Sequence, residues 1–258
     1  MKKIITPEHF ENAWKLYEDE KINPLTPEEM FRGIIYTILS PGENYQKQMR
    51  VFNRLMDYGL NTPKGVLSNE KRLRGIVGTS QYCTRKIESI YKLSKNWNDS
   101  KIPELILEDV RTGRNNSFKL RKIIDKELFG MGYKTTSLFL RMCDYLDIAI
   151  IDMHVLRGLE GLVKGFEVTE EMLIRGISDK KYLEIEKLIV KLAEEVGVET
   201  AIMSMAIYHR DSHYRQGHQK EIIFPDLEFN IFKRKQRKVK TKKRKEVPID
   251  TFSQLEFL

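Results

Sequence analysis

Apolar side chains recur every three to four residues along most of the chain, and no stretch alternates between apolar and polar positions as a half-buried strand would. This helical period begins near residue 8, is less regular over residues 98–116 and fades from about residue 213. Glycines and prolines separate the periodic segments at short intervals. The sequence therefore predicts an all-α fold of ordinary-length helices joined by short loops.

Several of the predicted helices begin at recognisable capping sequences. Thr26 precedes a proline and two glutamates, which places proline at the first helical position and acidic groups in the first turn. Thr62-Pro63 and Thr169-Glu170-Glu171 are similar starts, and Asn115-Asn116-Ser117 is expected to cap the helix that follows it.

The most informative segment predicts a helix, a tight hairpin and a second helix over residues 118–145. Its hairpin is Phe129-Gly130-Met131-Gly132, where two glycines in three residues allow the chain to turn. A short apolar run follows and ends at Asp152, which precedes a new helical pattern and is therefore expected to be an N-cap. One helix and one buried return segment separate Lys134 from Asp152, so an amine and a carboxylate can meet here.

These motifs resemble the helix-hairpin-helix DNA glycosylases that carry a "GPD" aspartate. GMGYK is followed by IIDMH with a spacing of 18 residues from Lys134 to Asp152, and a lysine directly after the hairpin is typical of the bifunctional glycosylase/lyase branch. IIYTILSPG, LRGIVGTSQYCTRKIESI and SLFLRMCDYLDIAIIDMHVL are similar to the archaeal-type 8-oxoguanine DNA glycosylases. The resemblance covers about residues 30–208. It implies a two-subdomain helical fold with an active-site cleft between the subdomains.

The resemblance implies chemistry for two residues. Lys134 would attack the sugar C1′, displace the damaged base and form an imine whose β-elimination nicks the strand; burial and a helix N-terminus would both depress the pKa of its ammonium. Asp152 would help to deprotonate Lys134 and would stabilise positive charge on the sugar. The alternatives are a solvated surface lysine and a plain N-cap.

The same resemblance implies phosphate contacts. Gly130 and Gly132 would let the hairpin backbone approach a phosphate, often with a bound monovalent cation, whereas the alternative is an ordinary corner between two helices. His154 would contact a DNA phosphate near the extruded nucleotide, and a structural capping histidine is the alternative.

An extruded base needs a stacking face. The candidates are Tyr82, Tyr208 and Phe224, with Gln81 as a hydrogen-bonding partner, and each is otherwise an ordinary core or surface residue. The sequence departs from its relatives here: an aromatic residue expected near Gln81 is missing unless Tyr82 replaces it, and a tryptophan expected near Ile207 is also missing.

Composition excludes several classes of protein. Cys83 and Cys143 are the only cysteines, which indicates a reducing compartment and cannot supply a four-cysteine iron–sulfur cluster, so the cluster-bearing endonuclease III relatives match less well. We expect no metal. No apolar run approaches the ~20 residues of a membrane span, and the first residues lack the apolar core of a secretory signal. We expect no membrane partner and a cytoplasmic, nucleoid-associated protein, or a nuclear one in a eukaryote.

The net charge of +8 is concentrated near the C-terminus. Residues 233–245 hold ten basic residues and no acidic one, so the rest of the chain is close to neutral. We predict a helical glycosylase domain over residues 1–228 and a disordered basic tail over residues 229–258 that binds DNA non-specifically; a solubility or import segment is the alternative. The apolar tip after Pro248 is similar to a short peptide for a partner groove, such as that of a sliding clamp.

Together these features predict a monomeric DNA glycosylase/AP lyase of base-excision repair that removes 8-oxoguanine from damaged double-stranded DNA without a metal or cofactor. Two alternatives stay open. In the first, the lyase chemistry is the same but the base that is removed is another damaged or mismatched one. The other is a non-catalytic DNA-binding module, which would need the hairpin but not a Lys–Asp pair at this spacing.

Overall fold

The structure, a computed structural model, describes residues 5–114 and 116–214. Within them the chain forms thirteen α-helices and no strand, which confirms the all-α prediction. Phe224, the boundary at residue 228 and the basic tail with its apolar tip lie outside the described residues. The α-helices are α1 (Pro7–Glu20), α2 (Pro27–Leu39), α3 (Tyr45–Asp57), α4 (Pro63–Ser68), α5 (Glu70–Val77), α6 (Cys83–Asn96), α7 (Ile102–Arg111), α8 (Ser117–Glu127), α9 (Tyr133–Met142), α10 (Met153–Glu160), α11 (Glu170–Arg175), α12 (Asp179–Val196) and α13 (Thr200–Tyr214). A short 3-10 helix (Trp97–Asp99) lies between α6 and α7.

Most of the predicted helix starts are confirmed. The hydroxyl of Thr26 accepts the backbone N–H of Glu29, and the hydroxyls of Thr62 and Thr169 make the same contact at the starts of α4 and α11. Asn116 occupies the N-cap position of α8, but its side chain does not cap the helix. Its amide instead donates to Oδ1 of Asp109 at 2.5 Å, because that carboxylate is buried and needs donors.

The irregular segment at residues 98–116 contains a ten-residue helix, α7, which the sequence pattern did not predict. Pro103 lies in its first turn, where the missing N–H costs no intrahelical hydrogen bond. Ile102 and Ile106 form its buried face, but Leu105 and Leu107 are exposed. These two exposed leucines blur the amphipathic pattern from which a helix is normally recognised.

The buried apolar side chains of the described residues form two separate hydrophobic cores. The first is built from apolar side chains between Met30 and Ile148, and the second combines α1 with side chains between Ala149 and Ile207. The chain passes from one core to the other at the peptide that joins Ile148 to Ala149. The hairpin helices α8 and α9 pack against each other, and α9 also contacts α2 and α1. Helix α9 therefore lies where the two halves meet.

Buried polar contacts hold the two halves together. Both terminal guanidinium nitrogens of Arg121 on α8 donate to the carboxylate of Glu186 on α12 at 2.6 Å, and this carboxylate also accepts the N–H of Ala149 at 3.0 Å. Because a buried charge is costly unless it is paired and fully hydrogen-bonded, these contacts fix the orientation of α8 relative to the second core. Among the described helices, none is long and apolar enough to cross a membrane.

Candidate active site

The hairpin between α8 and α9 lies directly against α6. Gly130 has φ +85°, a left-handed conformation, and a Cβ atom built on it would overlap the hydroxyl of Ser89. Both observations require glycine at this position. Gly132 differs, because its φ of −117° suits any residue and a Cβ there would meet open space. Its N–H donates to Oγ1 of Thr135 at 2.8 Å, which closes the start of α9.

Lys134 is the second residue of α9 and is partly buried. Its Nζ donates to Oγ of Ser40 at 3.2 Å. Burial lowers the pKa of the Lys134 amine, and the guanidinium of Arg141 acts in the same direction, whereas the carboxylates of Asp152 and Glu20 oppose it. Since desolvation is the largest of these effects, the site favours a neutral amine more than water does.

Asp152 is the N-cap of α10, as the sequence predicted. Its Oδ1 accepts the N–H groups of His154 and Val155, both at 2.9 Å, and its φ of −122° is typical of a cap. Within the described residues its Oδ2 makes no hydrogen bond. The charge of this carboxylate raises the pKa of the Lys134 amine, so the two groups lie within electrostatic reach of each other, and their joint role in catalysis stays a prediction.

His154 and Tyr208 lie side by side next to this pair. Nδ1 of His154 is 2.8 Å from Oδ2 of Asp211, and the ring of Tyr208 meets the imidazole edge-on with centroids 5.0 Å apart. Burial, together with the carboxylates of Asp152 and Glu20, raises the pKa of Tyr208 to about 12. Of the base-pocket candidates, Tyr208 thus lies beside Asp152.

Gln81 and Tyr82 form the turn between α5 and α6, on the first core. Tyr82 is left-handed (φ 53°) and 62% exposed, so its ring projects from the surface. The N–H of Gln81 donates to Oε1 of Glu43 at 2.5 Å, and Lys86 Nζ lies 3.5 Å from the same oxygen. Burial lowers the pKa of Lys86, Glu43 opposes this shift, and the charges of Lys47 and Lys134 add to it, so the amine of Lys86 lies within electrostatic reach of Lys134.

The match to known proteins decides the family. A family model described as 8-oxoguanine DNA glycosylase matches residues 10–198. The chain belongs to this family.

Two archaeal members, each named 8-oxoguanine DNA glycosylase/AP lyase, show the extent of the similarity. The protein of Sulfolobus acidocaldarius is 25% identical over 197 residues, which are 76% of this chain and 89% of the relative. That of Methanocaldococcus jannaschii is 27% identical over 195 residues, 76% of this chain and 86% of the relative. The resemblance seen in the sequence is therefore confirmed.

Solved structures of the family share the fold. The Methanocaldococcus jannaschii 8-oxoguanine glycosylase/lyase, in complex with a 15mer DNA containing 8-oxoguanine, aligns with a TM-score of 0.58 at 24% identity, over 80% of this chain and 87% of that one. The 8-oxoguanine DNA glycosylase of Thermotoga maritima aligns with a TM-score of 0.54 at 23% identity, over 78% of this chain and 86% of that one. The helical glycosylase fold predicted from the sequence is confirmed.

In this family member, three residues of the site were not found from the sequence: Glu20, Ser40 and Arg141. Arg141 follows Lys134 by seven residues, which is two helical turns, so their common face on α9 was visible in the sequence. Glu20 and Ser40 lie far from Lys134 in the chain, and no local sequence pattern indicated that they belong to the site. The carboxylate of Glu20 accepts hydrogen bonds from the hydroxyl of Tyr36 and the guanidinium of Arg141.

No group of three or more histidine, cysteine, aspartate or glutamate side chains in the described part of the chain is arranged to hold a metal ion. The monovalent cation at the hairpin stays a prediction, as do the phosphate contacts of Gly130, Gly132 and His154.

Proposed function

We propose that the protein is a bifunctional DNA glycosylase/AP lyase of base-excision repair that removes 8-oxoguanine from double-stranded DNA. The observation that carries this proposal is the desolvated amine of Lys134 at the start of a hairpin-led helix, beside the carboxylate of Asp152. Membership of the family and relatives named 8-oxoguanine DNA glycosylase/AP lyase support the substrate and the reaction class.

The reaction begins when the damaged base leaves the duplex and enters the cleft. The lone pair of the neutral Lys134 amine adds to C1′ while the bond from C1′ to the base breaks, and its electron pair leaves with the base, which takes up a proton. Nζ then loses a proton and its lone pair forms a double bond to C1′ as the bond from C1′ to the ring oxygen breaks; that oxygen keeps the bonding electron pair and takes up a proton, and a protonated imine remains. Loss of a C2′ proton drives β-elimination of the 3′ phosphate, which nicks the strand.

The surroundings of Lys134 suit this chemistry. Only the neutral amine has a free lone pair, and burial of the side chain increases the neutral fraction near pH 7. Asp152 supplies a fixed negative charge where positive charge develops on the sugar, and its orientation is set by two N–H groups of α10. One carboxylate thus begins a helix and faces the reacting centre.

The hairpin and α10 are the proposed grip on the DNA backbone. Helix N-termini carry N–H groups without intrahelical partners, and α9 presents its N-terminus directly after the hairpin glycines. His154 lies in the first turn of α10 and is held by Asp211, so we infer that its other ring nitrogen meets a phosphate. Tyr208 is the stacking residue that we favour for the extruded base, with Gln81 and Tyr82 contacting the nearby duplex.

Trapping by borohydride on a panel of duplexes tests the proposal. Borohydride reduces the imine to a stable amine, so a covalent protein–DNA product should form with 8-oxoguanine and with a preformed abasic site. A product with a different oxidised or mismatched base, and none with 8-oxoguanine, would favour the same chemistry on another substrate. No product with any duplex, including the abasic one, would favour a non-catalytic binding module.

We further infer a monomer that needs no metal and acts where cellular DNA lies. Its basic tail would hold DNA non-specifically, and its apolar tip would meet a groove such as that of a sliding clamp. Sedimentation of the full chain, with and without a chelator in the activity assay, tests the first two points. Loss of activity on chelation, or a dimeric mass, would contradict them.

A further inference from the structure

Lys134 is held by a residue from the first core, whereas Asp152 belongs to an element of the second core. Within residues 5–114 and 116–214, the only hydrogen bond of its Nζ runs to Oγ of Ser40, at 3.2 Å. Ser40 directly follows α2, in the first core, whereas Asp152 begins α10, in the second. Ser40 is 8% exposed, so little of it is open to water that could replace this contact.

The backbone around Ser40 is firmly anchored. Its N–H donates to the carbonyl of Thr37 at 3.2 Å, and its own carbonyl accepts the N–H of Glu43 at 3.3 Å. The carboxylate of Glu43 in turn pairs with Lys47 at 3.1 Å and Lys86 at 3.5 Å. These contacts join the segment after α2 to α3 and α6, so the hydroxyl of Ser40 has a defined position.

The chemistry of a hydroxyl suits a partner for this amine. When an N–H of the amine is donated to Oγ of Ser40, the lone pair of the neutral amine is not directed at Ser40 and stays available to another atom. A carboxylate in the same place would orient Nζ too, but it would also raise the pKa of the amine and reduce its neutral fraction. The hydroxyl orients the nucleophile and adds no charge.

We propose that Ser40 is a positioning residue for imine formation, which aims the lone pair of Lys134 at the C1′ atom of the deoxyribose. This inference rests on the proposed function, because it assigns a role within the lyase reaction. It concerns the geometry of the amine and not the identity of the damaged base.

The charges that set the protonation of Lys134 come from other elements. They are the carboxylates of Asp152 on α10 and Glu20 on α1 and the guanidinium of Arg141 on α9. The amine of Lys86 on α6 faces the same region, since the charge of Lys134 lowers its pKa. Ser40 adds no charge to this set. Loss of its hydroxyl should therefore change the maximal rate and leave the pH midpoint of the reaction where it is.

Single-turnover borohydride trapping on a duplex with a preformed abasic site tests this role, since no damaged base is involved. The full-length protein is used at saturating concentration across a range of pH. Ser40→Ala should lower the maximal trapping rate by about tenfold to a hundredfold, the size expected for a misplaced reacting group, with unchanged DNA affinity and pH midpoint. Ser40→Thr keeps the hydroxyl and should restore most of the rate.

A matched control separates this effect from the loss of any buried hydroxyl. Ser94 on α6 is also buried, and its Oγ donates to the carbonyl of Ile90 at 2.8 Å. Ser94→Ala should leave the trapping rate unchanged.

Three results would overturn the role of Ser40: a normal rate in the alanine variant, a rate that falls only with the folded fraction, or a folded threonine variant that regains nothing. Absence of trapping by the wild-type protein would instead contradict the proposed function itself.

Discussion

The guanidinium of Arg141, near the end of α9, pairs with the carboxylate of Glu20, the last residue of α1. Both groups act on the amine of Lys134, and they act in opposite directions: Arg141 lowers its pKa and Glu20 raises it. A second hydrogen bond from Tyr36 holds the carboxylate. The pair therefore joins the two halves of the molecule close to the nucleophile and adds little net charge there.

Removal of one partner should shift the pH dependence of the reaction. In Arg141→Met the charge of Glu20 is no longer balanced, so the pKa of Lys134 rises. Since the neutral amine reacts, the midpoint of the trapping rate should move to higher pH. The variant should also lose about 3–5 kcal/mol of unfolding free energy, because it leaves a buried charge unpaired.

The double variant Glu20→Gln with Arg141→Met is the control for this shift. It removes both charges, so its pH midpoint should return close to that of the wild type. A midpoint that stays high in the double variant would show that the shift did not come from Glu20.

Lys134→Gln should abolish covalent trapping and largely retain DNA binding, because the amide is polar and only slightly shorter than the lysine side chain but has no nucleophilic amine. Gel-shift titration on an uncleavable duplex measures the binding. Lys86→Gln is the control, since Lys86 is the other buried amine near the site, and it should still trap. Trapping by the Lys134 variant would mean that a different amine attacks.

Asp152→Asn should slow single-turnover base excision by a factor on the order of 10², the usual size of a lost preorganised charge. Because asparagine also caps helices, the loss of unfolding free energy should stay below about 1 kcal/mol. The carboxylate raises the pKa of Lys134, so its removal should move the pH midpoint downward.

Thr169→Ala is the matched control for Asp152. It removes the N-cap contact of α11, outside the site, and should lower thermal stability with normal excision. If Asp152→Asn behaved in the same way, Asp152 would be a cap and nothing more.

The two hairpin glycines should respond differently to alanine. Gly130→Ala places a methyl group in the space of Ser89 and at positive φ, so it should destabilise the fold by roughly 1–3 kcal/mol. Gly132→Ala meets open space and should cost less than about 1 kcal/mol. If the hairpin backbone grips a phosphate as proposed, the added methyl group would hinder that contact.

Thermal unfolding and DNA affinity distinguish the two glycine variants. Gly132→Ala should weaken binding with nearly normal stability. Normal affinity in this variant would argue against a backbone grip at Gly132.

Truncation after Phe232 should change affinity and leave the chemistry intact. The segment removed holds ten basic residues, and each contact with a phosphate should contribute about 0.9 to the slope of log K against log salt on duplex DNA. The truncated protein should therefore bind with a flatter salt dependence and keep the wild-type excision rate at saturating enzyme. A large fall in that saturated rate would place part of the tail in the active site.

The features that the sequence predicted correctly are formed by residues close together in the chain. The caps at Thr26 and Asp152 require contacts over two or three residues, and both were visible as local patterns. The contacts that the sequence did not predict join residues that are far apart in the chain. Ser40 meets Lys134 across 94 residues of sequence, and Glu20 meets Arg141 across 121, so these contacts exist only once the helices have packed.

The side chain of Asn116 shows a third case, in which a local rule was overridden. Asparagine favours the N-cap position, and Asn116 does occupy it, but the buried carboxylate of Asp109 takes its amide. The benefit of satisfying a buried charge exceeds that of a cap hydrogen bond. Such a competition cannot be seen without the packing of α7 against α8.

The second core combines the first helix with the last described one, since α1 packs against α13. During synthesis on the ribosome, α1 must therefore wait for almost two hundred residues before its buried face is covered. The first core has no such delay, because all of its side chains precede Ala149. A nascent chain can thus form the hairpin early, whereas α1, which carries Glu20, is fully packed only when α13 has been made, so an interrupted chain that stops before α13 holds the hairpin without a completed second core.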